Sequence, residues 1–185
     1  MDVTFQRYEE IKEIVAYTLT KGNVREIPIC GFKLADELGI NYVPYSLLPL
    51  KKQSACIQLS EEGFTLDKTI YYNDYQIPTR VRFTIMHEIG HIMLDHFEDD
   101  DVAEIEANFF AGYILVPPVL VYALDRTNDI DQDQIKNLFN VSNPVAENTY
   151  NYYQKWSKYN SSMFGLSKID TQIYNQFFGC LSLNL

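Results

Sequence analysis

The chain has 185 residues, 46% hydrophobic and 22% charged, a balance that fits an ordinary soluble globular domain with a sizeable core. Its 25 acidic against 15 basic residues leave a formal charge of -10, the wrong sign for a surface that neutralises phosphates. Cys30, Cys56 and Cys180 are far apart with no CxxC pair, and the first ten residues show no basic stretch followed by an apolar core, so neither a disulfide framework nor a secretory signal is indicated and the expected setting is cytoplasmic.

From Phe5 to about Lys21, apolar residues at Phe5, Tyr8, Ile11, Ile14 or Val15, and Leu19 recur at helical spacing, and Gly22-Asn23 supplies a stop. A short second helix is expected over Phe32 to Leu38, closed by Gly39, followed by extended chain from Ile40 to Leu48. Ala55 to Leu59 and Thr69 to Tyr72 carry β-branched and aromatic residues between turn formers and read as strands of a small sheet. Pro78-Thr79 opens the next helix, expected from about Thr79 to Leu94.

That helix carries His87-Glu88-Ile89-Gly90-His91, which includes two of the chain's three histidines. Residues four apart share one helix face, so His87 and His91 can aim both imidazoles at one ion held roughly 2.0–2.1 Å away. Glu88 lies about 100° around the helix, where its carboxylate can reach a water on such an ion without being a ligand. A hydrolytic zinc site needs this arrangement: three protein ligands, a fourth position for water, and a carboxylate to take the proton. Gly90 costs roughly 1 kcal/mol of helix propensity relative to Ala, which points to close approach of another element or of a substrate.

Two histidines leave the ligand set one short. The longer metzincin pattern is absent, because Leu94 and Phe97 occupy the positions of its glycine and last histidine. His96 is one residue out of register with no glycine to turn the chain, and reads instead as a histidine at a helix C-terminus. After the acidic segment Asp95 to Asp101, a helix from about Val102 to Val116 offers Glu104 and Glu106, which point about 200° apart. Ala107, Asn108 and Ala111 on the face of Glu104 would admit a close helix contact, whereas Phe109, Phe110 and Tyr113 accompany Glu106. Glu104 is therefore the better third ligand, with Asn108 one turn on to orient a ligating histidine, and Glu106 remains the alternative, otherwise a surface charge. The apolar run from Gly112 to Leu124 is broken by Pro117-Pro118 and is shorter than the ~20 residues of a membrane helix.

The stretch Arg82 to His91, followed by Glu104-Ile105-Glu106-Ala107-Asn108-Phe109-Phe110-Ala111 and the Leu115-Val116-Pro117 ending, resembles the ImmA/IrrE-like zinc metallopeptidases of bacteria and their mobile elements; Thr69 to Asn73 is similar to the segment before their motif helix. The resemblance implies an α+β, zincin-like fold in which a small mixed sheet packs on the motif helix and a Glu-bearing helix. It also implies one Zn2+ on His87, His91 and Glu104, Glu88 as general base, Asn108 beside the ligands, and a helix-turn-helix repressor of a phage or mobile element as the protein partner cut. Peptide recognition is expected along the strand Ile70, Tyr71 and Tyr72, by addition of an extended substrate to the sheet. Arg80, Arg82 and the tyrosines are unranked candidates for an oxyanion stabiliser.

The absence of linkers or repeats favours one unit over 1–185, with a core at 1–118 and a helical region at 119–185. There, Asp129 to Phe139, Asn140-Val141-Ser142-Asn143 and Pro144 to about Lys158 read as helix, turn, helix. Their acidic and neutral side chains favour structural or substrate-docking helices over contact with DNA. The tail from Tyr159 is apolar enough to pack on the body, with Phe177-Phe178 a possible partner surface. The competing functional reading is a non-catalytic, zinc-containing module that binds a repressor by its surface. Retention of Glu88 weighs against it, since a structural site is normally closed by four ligands and needs no base.

Overall fold

The computed structural model describes residues 3–97, 100–163 and 165–179. The element order is α1 (Phe5–Lys21), α2 (Gly31–Leu38), β1 (Asn41–Pro44), a 3-10 turn (Tyr45–Leu47), α3 (Leu50–Leu59), β2 (Gly63–Leu66), β3 (Thr69–Tyr72), α4 (Pro78–Met93) and α5 (Asp101–Leu115); α6 (Pro118–Asn128), α7 (Gln132–Phe139), α8 (Asn143–Met163) and α9 (Lys168–Phe178) follow. The class is mixed α+β, and the sheet is small and mixed, as expected.

Strand order is β1-β3-β2, with β1 parallel and β2 antiparallel to β3. Two expectations change here. Ala55 to Leu59 is the last half of helix α3, not a strand: Lys51, Lys52 and Gln53 ahead of it are good helix formers, and Pro49 precedes the first turn. The missing strand is β2, which pairs Gly63 with Tyr72 and Leu66 with Thr69 across a two-residue turn. Asp67 and Lys68 in that turn both have positive φ, 49° and 58°, as a primed hairpin turn requires, but without the Asn-Gly signature that would have revealed it.

α4 lies at the centre. Ile85, Met86 and Ile89 are fully buried on it, and α5 packs along it through Ala107, Phe110 and Ala111. The reason for Gly90 is Phe110: a Cβ at residue 90 would stand 3.0 Å from Phe110 Cδ1 and 3.3 Å from its Cβ. The close helix contact thus comes from a missing side chain on α4 as much as from the small residues of α5. α1 covers the other flank of α5 with Ile11, Val15 and Leu19, all fully buried at helical spacing.

The helices after Pro117 join the same hydrophobic cluster: Leu120, Ile135, Phe139, Tyr153 and Ile173 are contiguous with Ile11 and Ile89. α7 and α8 pack on each other across a left-handed Asn140. α9 docks on the end of α1, where Gln176 Nε2 donates to the carbonyls of Leu19 at 2.7 Å and Val24 at 2.6 Å. Phe177 packs against the core, Phe178 is half exposed, and the tail beyond Gly179 lies outside the described residues. The segment Asp101–Asp125 is long and apolar enough to cross a membrane by composition, but it is two helices divided at Pro117, and two thirds of its most apolar window is buried in this core.

Candidate metal centre and cleft

A cleft of about 810 Å³ opens between β2, α4 and the start of α5; Thr65, His87, Glu88, His91, Glu104 and Asn108 are among the residues lining it. His87 and His91 project from one face of α4 one turn apart, and Glu104 reaches them from α5. His91 Nε2 lies 3.0 Å from His87 Nε2 and 3.1 Å from Glu104 Oε1, and His87 Nε2 lies 3.5 Å from Glu104 Oε2. All three ligand atoms fall within 4.8 Å of one another. Ligands held at zinc's usual bond lengths in a tetrahedron stand about 3.3 Å apart, so the spacing fits such an ion with little movement.

The hydrogen-bond pattern around the trio agrees with that fit. His87 Nδ1 is 3.1 Å from Asn108 Oδ1, a carbonyl oxygen that only accepts, so the ring proton belongs on Nδ1 and the Nε2 lone pair faces His91. Glu104 adds a carboxylate to the same point. The His87 lone pair, His91 Nε2 and the Glu104 carboxylate thus converge on one point, and two imidazoles with one carboxylate are a zinc-type donor set.

The two glutamates of α5 divide sharply. The Glu104 side chain is 45% exposed at the cleft, whereas that of Glu106 is 7% exposed, so Glu106 is not the surface charge expected of it. Arg7 of α1 donates to it twice, from Nε to Oε1 at 2.9 Å and from Nη2 to Oε2 at 2.6 Å. These bonds hold the Glu106 carboxyl below its ordinary pKa against the opposing effect of burial, and His96 assists. No sequence signal links residues 7 and 106.

His96 is not in the trio, yet it is not a free helix-end histidine either. Asp95 adopts the left-handed conformation at φ 57°, and the His96 and Asp95 amides donate to the carbonyls of His91 and Ile92, a Schellman-type end made without glycine. The reversal folds the His96 ring back so that Nδ1 lies 3.1 Å from His91 Nδ1 and Nε2 lies 3.0 Å from Glu106 Oε2.

Glu88 is buried at the cleft floor, and Thr65 Oγ1 on β2 donates to its Oε2 at 2.8 Å. Thr65 went unnoticed because its strand did. The expected substrate strand β3 is paired on both sides, Ile70 is fully buried, and Ile70, Tyr71 and Tyr72 are not among the residues lining the cleft. Among the described residues, β2 is the strand that lines the cleft, and its outer edge is unpaired. Of the oxyanion candidates, Arg82 is committed to the carbonyls of Ile29, Phe139 and Asn140, no tyrosine is among the cleft-lining residues, and Arg80 lines the cleft beside Glu62.

A helix pair that aims two imidazoles and a carboxylate at one point beside a buried glutamate defines a candidate metal centre of the HExxH kind. Residues 35–151 match the model of the Peptidase_M78 family, described as the IrrE N-terminal-like domain, and the chain belongs to that family. Among solved structures, a Mycobacterium tuberculosis transcriptional regulator shares the fold, with a TM-score of 0.54 and 19% identity over 77% of this chain and 47% of its own. The chain thus spans about half of that protein's length. No curated protein matches the chain significantly.

Proposed function

We propose that this chain is a zinc-dependent endopeptidase of zincin-like design that acts in the cytoplasm, with His87, His91 and Glu104 as ligands and Glu88 as general base. The observation that carries the reading is the buried Glu88 carboxylate beside a three-residue ligand set that leaves room for water. Bound there, zinc would lower the pKa of a water towards about 7 and polarise a substrate carbonyl. Glu88 takes the proton as the water oxygen attacks the carbonyl carbon, and returns it to the nitrogen as the C–N bond breaks. Thr65 holds Glu88 in place, Asn108 fixes the His87 ring, and Arg80 is the cleft-lining cation available to the developing oxyanion.

An extended peptide adds to the open edge of β2, taking sequence-independent hydrogen bonds from its backbone. Leu59, Leu66 and Phe97 stand exposed at the cleft and supply apolar contacts for its side chains. The substrate class we infer is a helix-turn-helix repressor; the family and the transcriptional regulator that shares the fold support it. Co-expression with candidate repressors tests both parts. Repressor fragments should form with the wild type and disappear with Glu88→Gln and His91→Ala. Firm binding by the wild type without fragments would instead establish a non-catalytic binding module.

A further inference from the structure

We infer that His96, Glu106 and Arg7 form a hydrogen-bonded relay that fixes the ring orientation and tautomer of His91, with His96 as a positioning residue. The inference rests on the metal-centre reading above and adds three residues to it. Each link follows from what its groups can donate. A carboxylate only accepts, so His96 Nε2, 3.0 Å from Glu106 Oε2, carries its proton. With His96 neutral, its Nδ1 is a lone pair, to which His91 Nδ1 at 3.1 Å donates. His91 Nε2 is then left as the lone pair that faces His87 and Glu104.

The relay is built into the fold. The side chains of His96 and Glu106 are 9% and 7% exposed, and a carboxylate buried to that degree is costly unless fully bonded. Arg7 meets the cost with its two donors. The bland alternative is a clamp that ties α1 to α5 and merely passes His96. It does not explain why the chain reverses at a left-handed Asp95 to place His96 on His91. Arg7 also lies outside residues 35–151, so the anchor of the relay comes from a helix beyond the family match.

Co2+ titration of the metal-stripped full chain tests this, read by affinity and by d–d absorption, with thermal unfolding of each metal-free form alongside. His96→Phe keeps the ring volume and removes the acceptor; it should weaken Co2+ binding about 10- to 100-fold and alter the absorption. His96→Gln, whose Oε1 can accept from His91 Nδ1–H, should recover most of the loss. Arg7→Met should show a smaller loss in the same direction and decides the matter if His96→Phe does not fold. Wild-type affinity and spectrum in His96→Phe, or no recovery in His96→Gln, would overturn the relay while leaving the metal centre intact. A wild type that binds no Co2+ would overturn both.

Discussion

Gly90 lies directly against Phe110, with 3.0 Å between the position a Cβ would take and the ring's Cδ1, and through this contact the helix bearing His87 and His91 meets the helix bearing Glu104. The ligand trio depends on that approach, so the pair is a structural hinge of the site although neither residue has any chemistry.

Filling the space should separate the helices. Gly90→Leu is expected to lower stability by about 1–3 kcal/mol through overpacking, measured by chemical denaturation, and to weaken metal binding as well. Combining it with Phe110→Ala should cost less than the two single losses added, because the second change makes room for the first. Strict additivity would show that the two side chains do not share the space.

Thr65→Val removes the hydroxyl that donates to Glu88 Oε2 at 2.8 Å while keeping the β-branched shape. A hydrogen bond to a carboxylate contributes about 1.5 kcal/mol or more, so kcat should fall about tenfold with KM little changed. A rise in KM at constant kcat would place Thr65 in substrate binding instead.

The β2–β3 turn carries left-handed Asp67 and Lys68. Replacing them by Asn and Gly supplies residues that adopt this conformation readily, and the melting temperature should rise by the equivalent of about 1 kcal/mol. Unchanged stability would mean that the turn is not strained.

Asp170 of α9 is buried, and burial raises its carboxyl above the ordinary value of 3.8. Below 3.8 both folded and unfolded chains hold the proton; between 3.8 and the raised value only the folded chain does. The contribution of Asp170 to stability therefore falls as pH rises through that window and levels off above it. Asp170→Asn lacks the ionisation, so its stability relative to wild type should improve from pH 4 to neutral, measured as the difference in melting temperature. A difference that does not vary with pH would contradict the assignment.

What could be read in advance followed local rules. The motif helix and α5 follow from periodicity and the His87/His91 pair from its spacing of four, while Glu104 was preferred to Glu106 only by the small residues on its helix face. The β2 strand was hidden because Gly63 looks like a stop and Asp67-Lys68 unlike a hairpin turn. With β2 unseen, β3 was left as the sheet edge on which a substrate strand was expected. The role of Glu106 was misread because its partner is 99 residues away on α1, and His96 because a left-handed Asp95 did the work expected of a glycine. Long-range pairing and non-glycine left-handed turns are decided by tertiary packing, which leaves no local trace.

The central claim is that this site hydrolyses peptide bonds with Glu88 as base. Incubating a tryptic peptide library with the zinc-loaded chain and sequencing the new N-termini by mass spectrometry tests it most directly. Cleavage by the wild type that disappears in Glu88→Gln at equal zinc content is the predicted result. Identical cleavage by both proteins, or none by a wild type that carries one zinc, would contradict it.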